Sequence, residues 1–189
     1  MRIVAGKWRG RRLASPRGRQ TRPTSDRVRE AVFDVLASRF PECLAGNVLD
    51  AFAGSGAMGL EALSRGAGLA VFIENDRDAI TALRRNKESL RAEEAMIVRG
   101  DAFRLLGGGL PVSGPFSLLL LDPPYRIEPA QVAKVLSDAL RIGLLGDGSV
   151  VVYEHSASVA PVWPPPLEEV VRKVYGDTAA TFAVVGRGG

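Results

Sequence analysis

The chain has few of the residues that disulfides and metal sites require, with one cysteine and one histidine. Cys43 alone cannot form an internal disulfide, which fits a reducing cytoplasm, and we interpret it as a small half-buried apolar residue. One histidine without clustered partners predicts no metal site, and we place His155 in a loop after the fifth predicted strand, near the mouth of a cleft. No Pro-Cys dipeptide is present, so covalent attack on a pyrimidine ring is not expected.

Long apolar runs are missing as well. No segment reaches the uninterrupted length of a membrane span, and the basic N-terminus lacks the apolar region of a signal peptide. Apolar residues nevertheless make up 46% of the 189 positions, enough for one hydrophobic core. We therefore expect a basic N-terminal arm at residues 1–24 and one domain at residues 25–189.

Acidic residues are scarce at the start of the chain. The first 29 residues hold ten Lys and Arg against Asp26, a net charge of +9, while the remainder has 15 basic and 20 acidic residues, or −5. A basic segment on an acidic body predicts binding to nucleic acid, because each cation can displace a phosphate counterion. The predicted RNA-contacting residues are these cations, a stacking tryptophan and one later cation: Arg2, Lys7, Trp8, Arg9, Arg11, Arg12, Arg17, Arg19, Arg22 and Arg126.

Short apolar segments alternate with helical periodicity through most of the chain. A first helix is predicted from an N-cap at Ser25 or Asp26 to about residue 39. The predicted strands are 48–52, 69–73, 95–98, 116–121 and 149–153, and the predicted helices between them are 57–65, 77–91 and 129–142. After a Pro-rich loop, residues 168–175 and 179–185 are typical of an antiparallel hairpin. The pattern predicts an α/β fold with a mostly parallel sheet covered on both faces.

A glycine-rich loop follows the first predicted strand. Residues 54–59 match the dinucleotide fingerprint, and Glu74, twenty positions after Gly54, could accept hydrogen bonds from ribose hydroxyls. The glycines predict close approach of a ligand and tight helix packing. These features fit NAD and any other adenosine-containing cofactor.

The charge of the predicted crevice distinguishes between these cofactors. One acid lies at or near the carboxyl end of each of the first four predicted strands, and the carboxyl ends of parallel strands form the ligand crevice. Carboxylates there oppose a pyrophosphate and favour the ammonium and sulfonium of S-adenosylmethionine, although each acid alone could be an ordinary helix N-cap. Asp50 is predicted to meet the methionyl amino group, Asp101 with Ala102 the adenine, and Glu74 with its neighbour Asn75 the ribose. The remaining predicted cofactor contacts are Phe52, Ala53, Gly54, Ser55, Gly56, Gly59 and Asp122.

Residues 122–125, directly after the fourth predicted strand, suit the exocyclic amine of a base. The Asp122 carboxylate and the Pro123 carbonyl could accept its two N–H groups and free the nitrogen lone pair. Pro124 fixes the turn, and Tyr125 offers a ring on which the base could stack. A strand followed by a Pro-rich turn with an exposed Tyr is the plainer interpretation.

In three blocks the chain resembles the bacterial 16S rRNA guanine-N2 methyltransferases of the RsmD family: residues 22–30, residues 50–67 and residues 122–125. The resemblance implies a Rossmann-like class I methyltransferase with a seven-stranded, mostly parallel sheet and an antiparallel C-terminal hairpin. It also implies that Thr24 and Arg27 lie near the cofactor's methionine carboxylate. The implied substrate is a guanine of 16S rRNA, as in the guanine(966)-N2 enzymes, presented on an assembling small-subunit particle. Asn75 and Arg126 depart from the family pattern.

Two alternatives remain open at this point. A DNA adenine-N6 or related amino-methyltransferase would use the same tetrapeptide, although a chain of this length leaves no room for a separate target-recognition domain. A non-catalytic RNA-binding assembly factor would use the same basic arm, but pure binding would not require Asp122 or the glycine loop.

Overall fold

The computed structural model describes residues 1–16, 23–124 and 126–186, and for residues 23–25 the backbone alone. The helices are α1 (Pro23–Arg39), α2 (Ala57–Arg65), α3 (Arg77–Leu90), α4 (Ala102–Arg104) and α5 (Pro129–Arg141), with a 3-10 helix at Pro41–Leu44. Within these described ranges, no helix has the length and apolarity needed to cross a membrane.

Seven strands form one sheet in the order β3-β2-β1-β4-β5-β7-β6. They are β1 (Asn47–Asp50), β2 (Leu69–Glu74), β3 (Ala95–Arg99), β4 (Leu118–Leu121), β5 (Val150–Ser156), β6 (Leu167–Tyr175) and β7 (Thr178–Val185). The first five strands pair in parallel, and β7 runs antiparallel to both β5 and β6. The predicted parallel sheet with an antiparallel C-terminal hairpin is confirmed.

Two apolar clusters lie on opposite faces of this sheet, because side chains alternate along each strand. Val48 and Val150 point into a cluster shared with α1, α2 and α3, whereas Leu49 and Val151 point into one shared with α5. The strand order reverses direction between β1 and β4, which in open α/β sheets creates a crevice at the carboxyl ends of the strands. The fold therefore positions a ligand site at the ends of β1, β2, β4 and β5.

The first sixteen residues, which belong to the predicted basic N-terminal arm, pack onto the rest of the domain. Arg2 and Arg12 form an antiparallel bridge, and Ile3 and Leu13 enter the cluster beneath α1 and α2. Glu61 of α2 is fully buried and accepts the Val4 and Ala5 N–H groups at 2.8 and 3.0 Å. Two isolated apolar residues ten positions apart give no periodic pattern, so the sequence does not reveal this docking.

The placement of His155 is a correction. The sequence ended the fifth strand at residue 153 and put His155 in a loop, but β5 continues to Ser156. The His155 ring is buried, with Nε2 2.8 Å from Thr181 Oγ1 on the neighbouring strand β7. Burial is the main cause that lowers its pKa. His155 is thus a sheet residue that joins β5 to β7.

Candidate active site

A cleft of about 360 Å³ opens at the carboxyl ends of β1, β2, β4 and β5. Four carboxylate side chains line it, together with one buried arginine: Asp50, Glu74, Asp122, Glu154 and Arg29. The apolar part of the wall comes from Leu120 and Val152 and from the loop after β1. Acidic groups thus converge where the fold alone would place a ligand.

The glycine loop after β1 forms one wall of the cleft and is held by Glu74. One carboxylate oxygen of Glu74 accepts the Gly54 N–H at 2.7 Å, and the other accepts the Asn75 and Asp76 N–H groups at 2.8 and 2.9 Å. Gly54 has a φ of 56°, a left-handed conformation that favours glycine. Glu74 therefore fixes the conformation of the glycine loop. This loop lines the cleft together with Phe52 and Ala53.

The other two glycines of the fingerprint serve packing. A Cβ on Gly56 would lie 2.2 Å from Leu83 of α3, and one on Gly59 would lie 2.4 Å from the Phe72 ring of β2. Both positions let α2 approach the sheet closely, as the third glycine of such a fingerprint does. Their predicted contacts with a cofactor stay predictions.

Asp50 is the most deeply buried acid of the cleft, with 4% of its surface exposed. Its carboxylate accepts the Gly59 N–H at 2.9 Å, which ties β1 to the start of α2. Burial raises its pKa to about 7 against this hydrogen bond, and repulsion from Asp122 and Glu74 raises it further. Asp50 is thus a carboxyl group that titrates near neutral pH and responds to the charge in the cleft.

Glu154 is a cleft acid that the sequence reasoning missed. Leu121 at the end of β4 pairs with Tyr153 of β5, and the residues that follow this pair, Asp122 and Glu154, both line the cleft. Burial and then repulsion from Asp122 raise the pKa of Glu154 to about 8. The signal was available, since Glu154 directly follows the fifth predicted strand just as the four recognised acids follow theirs.

The turn after β4 presents its residues unequally. Pro123 is buried, while Asp122 and Pro124 are exposed at the cleft, where both line the wall. The Pro124 carbonyl accepts the Ile127 N–H at 2.9 Å and closes the turn. Tyr125, predicted to stack on a base, lies outside the described residues, and Arg126 is exposed beside it.

Asp101 stands apart from the other strand-end acids. Its side chain accepts the Arg104 N–H at 2.9 Å, so it is the N-cap of the short helix α4, a segment that the sequence did not predict. Asp101, Ala102 and Asn75 are not among the residues that line the cleft. Their predicted contacts with adenine and ribose stay predictions.

The arginine that lines the cleft is Arg29, which the sequence counted only as a cation of the basic segment. Its guanidinium is 3% exposed, lies 3.2 Å from Asp26 and 3.7 Å from Glu61, and donates to the Arg2 carbonyl. Arg27, two residues earlier on α1, is exposed and outside the cleft wall. The Thr24 side chain, Arg17, Arg19 and Arg22 lie outside the described residues.

The cleft contains acids without the other ligands of a metal site. Within the described part of the chain, no group of three or more His, Cys, Asp or Glu side chains has a geometry that could hold a metal ion. Cys43 is buried at the opposite end of the sheet near Ser117, and burial raises its pKa to about 12, which leaves it an unreactive thiol.

The strand order, the reversed β7 and the cleft at the switch point define a Rossmann-like class I methyltransferase fold. Comparison with solved structures agrees. A structure described as a putative methyltransferase yhhF from Escherichia coli superimposes with a TM-score of 0.84 at 33% identity, over 98% of each chain. A putative methylase from Haemophilus influenzae gives a TM-score of 0.78 at 26% identity, also over 98% of each chain.

Sequence comparison gives the family. The model of the family described as "Conserved hypothetical protein 95" matches residues 1–184. A putative rRNA methyltransferase, YlbH, of Bacillus subtilis is 35% identical over 84% of each chain. The ribosomal RNA small subunit methyltransferase D of Escherichia coli K12 is 44% identical over 67% of this chain and 61% of its own length. The chain belongs to this RsmD family, and the resemblance inferred from its motifs is confirmed.

Proposed function

We propose that the chain transfers a methyl group from S-adenosylmethionine to the exocyclic N2 amine of a guanine in small-subunit rRNA. The observation that carries this proposal is the joint placement of Asp122 and Pro124 in one cleft with Asp50, Glu74 and the glycine loop. An acceptor for an amine and a wall for a cofactor are thereby adjacent. The names of the relatives support ribosomal RNA as the polymer.

The cleft residues fit S-adenosylmethionine better than a dinucleotide. Asp50 has a raised pKa in part because Asp122 and Glu74 repel its charge, and a cation among these groups would relieve that repulsion. A pyrophosphate would add to it. When bound, S-adenosylmethionine supplies a methyl group on a positively charged sulfur.

Each cofactor-binding role then follows from position in the cleft. Asp50 would attract the ammonium group, Glu74 and the loop from Phe52 to Ser55 would hold the ribose end, and Arg29 would face the carboxylate of the methionine moiety. Arg29 replaces Arg27 in this role, because Arg29 lines the cleft and its Nε has no hydrogen-bond partner. The Arg29 Nε lies 3.7 Å from Glu61, a long ion pair, so the guanidinium can still bind another anion.

Asp122 and the Pro123 carbonyl would act on the substrate. Together they would accept the two N–H bonds of the amine, so that its lone pair is withdrawn from the ring and points at the donor methyl. Proline suits this position because its carbonyl accepts a hydrogen bond while no N–H of its own competes. The contribution of these residues is mostly positioning. A guanine inside a helix cannot reach such a cleft, so the base must be unstacked or flipped.

The docked N-terminal segment and α3 together would bind the RNA backbone. Lys7 is paired with Glu94 at 3.1 Å, and Arg11 donates to the Ser89 carbonyl at 2.5 Å, so the segment lies along α3. We define the basic face by the exposed cations of these two elements: Arg2, Lys7, Arg9, Arg11, Arg12, Arg77, Arg84, Arg85 and Arg91. Their charge suits phosphate groups. Trp8 is half-buried against the core cluster, and the Lys7 ammonium lies 4.4 Å from the centre of its ring.

One experiment tests the proposed function against its alternatives. The protein is incubated with methyl-labelled S-adenosylmethionine and, in parallel, with naked small-subunit rRNA, small-subunit particles from a strain that lacks the enzyme, and duplex DNA. We expect label on rRNA or on the particles, and mass analysis of nucleosides to find it as N2-methylguanosine. Label on DNA alone would identify a DNA methyltransferase, and no transfer to any acceptor would favour the assembly factor.

A further inference from the structure

Glu154 lines the cleft next to Asp122 and has no part in the binding scheme above. Leu120 and Val152, two residues earlier on β4 and β5, lie in the same core cluster and also line the cleft. Asp122 directly follows β4, Glu154 lies on β5, and both line the cleft. They are close enough for the charge of Asp122 to raise the pKa of Glu154. Two adjacent carboxylates thus face the place where the amine of a base would lie.

We infer that Glu154 accepts the N1–H of the target guanine while Asp122 and the Pro123 carbonyl accept the two N–H bonds of N2, so that Glu154 selects guanine among the bases. This inference rests on the proposed function. Guanine carries three N–H bonds side by side on this edge, and they would match the Asp122 and Glu154 carboxylates that line the cleft and the carbonyl of Pro123 in the turn after β4. Adenine N1 and cytosine N3 are lone-pair acceptors next to their amines, and above about pH 8, where Glu154 is ionised, its carboxylate in front of them would be repelled.

The electrostatics of the pair support this role. Burial and the charge of Asp122 raise the pKa of Glu154, so two ionised carboxylates side by side are costly in this cleft. Hydrogen bonds donated to the ionised form lower a carboxyl pKa. An edge with three N–H donors supplies such bonds to both acids, whereas an edge with one amine and a lone pair supplies them to one acid only. The arrangement therefore suits guanine.

The test uses 2-aminopurine, which keeps the N2 amine but has a lone pair in place of the N1–H. Once the methylated guanine is mapped, RNA with guanine or 2-aminopurine at that position is prepared by ligation and offered, alone or in reconstituted particles, to the full-length protein. We measure kcat/KM for both RNAs with the wild-type chain, Glu154→Gln and the control Glu168→Gln. Glu168 is an exposed residue of β6 outside the cleft.

We expect the wild-type protein to prefer guanine over 2-aminopurine by roughly a hundredfold, since a base that lacks a required donor is strongly rejected. Glu154→Gln offers an acceptor and a donor, so its preference should fall at least tenfold, while Glu168→Gln keeps the wild-type ratio. A ratio within twofold of wild type in Glu154→Gln would overturn the inference, even if its overall rate were lower. Wild-type protein that methylates no guanine would instead overturn the proposed function.

Two further readouts separate selection from structural damage. Glu154→Gln should keep its thermal unfolding midpoint and its affinity for S-adenosylmethionine within a few-fold, because the residue faces the base and not the glycine loop. Loss of cofactor affinity equal to the loss of kcat/KM would place Glu154 in the cofactor site and overturn its assignment to the base.

Discussion

Two groups of carboxylates in this molecule have opposite surroundings. Glu61 is enclosed by donors, with two backbone N–H groups, the Arg65 side chain at 2.9 Å and Arg29 at 3.7 Å. In the cleft, burial and then repulsion between the acids raise the pKa values of Asp50 and Glu154, and the charge of Asp122 acts on both. An acid enclosed by donors holds the fold together, whereas acids that repel one another are suited to a ligand that brings positive charge or N–H donors.

The largest expected effect separates chemistry from binding in the cleft. Asp122→Ala should reduce methyl transfer by roughly 10³-fold, because it removes a charged acceptor from the reacting amine. Affinity for S-adenosylmethionine should remain within a few-fold, as measured by calorimetry. Asp147→Ala, a change of an exposed acid outside the cleft, is the control and should keep wild-type activity. Equal losses of activity and cofactor affinity in Asp122→Ala would place Asp122 in the cofactor site.

Glu61→Gln tests whether Glu61 and the donors around it stabilise the fold. The change removes the carboxylate that the buried Arg29 and the half-buried Arg65 share and leaves Arg29 with Asp26 alone, which should lower the free energy of unfolding by about 3–5 kcal/mol. Chemical denaturation measures this loss, and limited proteolysis should cut the N-terminal segment first. Glu88→Gln on the exposed side of α3 is the matched control. Unfolding curves that coincide for Glu61→Gln and the control would show that the donors around Glu61 do not stabilise the fold.

Asp50→Asn should stabilise the fold, in contrast to Glu61→Gln, and the gain in stability should depend on pH. The folded pKa of Asp50, about 7, lies above its ordinary value of 3.8, so its contribution to stability is fully present below about pH 4 and is lost as the pH rises through 7. Removal of the charge should therefore raise the unfolding temperature by about 5 °C at pH 8.5. Little change is expected at pH 4 to 5.

The same acid should govern the cofactor. In the wild-type protein, affinity for S-adenosylmethionine should fall below about pH 7 as Asp50 becomes protonated. In Asp50→Asn this decrease should be much smaller, because the titrating group is absent. Calorimetric titrations at pH 5.5 and 8.5 measure both. A stability gain of equal size at pH 4.5 and 8.5 would mean that the charge of Asp50 is not the cause.

The smallest expected effect concerns the basic face, which Glu61 helps to hold in place. Arg84→Ala combined with Arg85→Ala should weaken rRNA binding several-fold and reduce the slope of log affinity against log salt by about 1 to 2. Arg39→Ala combined with Lys173→Ala removes two exposed cations elsewhere and is the control. Salt slopes that agree between the two double variants would remove α3 from the RNA-binding surface.

The sequence predicts the parallel core well because buried strands and amphipathic helices leave local patterns. β2, α2 and the hairpin of β6 and β7 agree with their predicted ranges to within two residues. The end of β5 was missed because Glu154 and His155 are polar, and the pairing with β7 that keeps them in the sheet is a long-range contact. The helix α4 was missed because it has three residues.

For the candidate site, the position of a residue relative to a predicted strand indicated well which acids lie in the cleft. It indicated less well what each side chain contacts. The rule that acids follow strands located Asp50, Glu74 and Asp122 at the cleft, yet the same rule also selected Asp101, which caps a helix. Arg29 was missed because helical rotation decides that it, and not Arg27, faces inward, and one exposed and one buried arginine look alike in sequence. Such distinctions depend on the tertiary packing of α1 against α2.

The contacts of Asn86 on α3 determine where the chain can be shortened or tagged. Its amide donates to the carbonyls of Ala14 and Ser55 and accepts the Ala14 N–H, so one side chain joins the N-terminal segment to the glycine loop. Met1 itself lines the cleft. A protein shortened at its N-terminus would therefore lose cofactor affinity together with RNA affinity, and an affinity tag placed before Met1 would emerge beside the reaction centre. Purification handles belong at the other end of the chain.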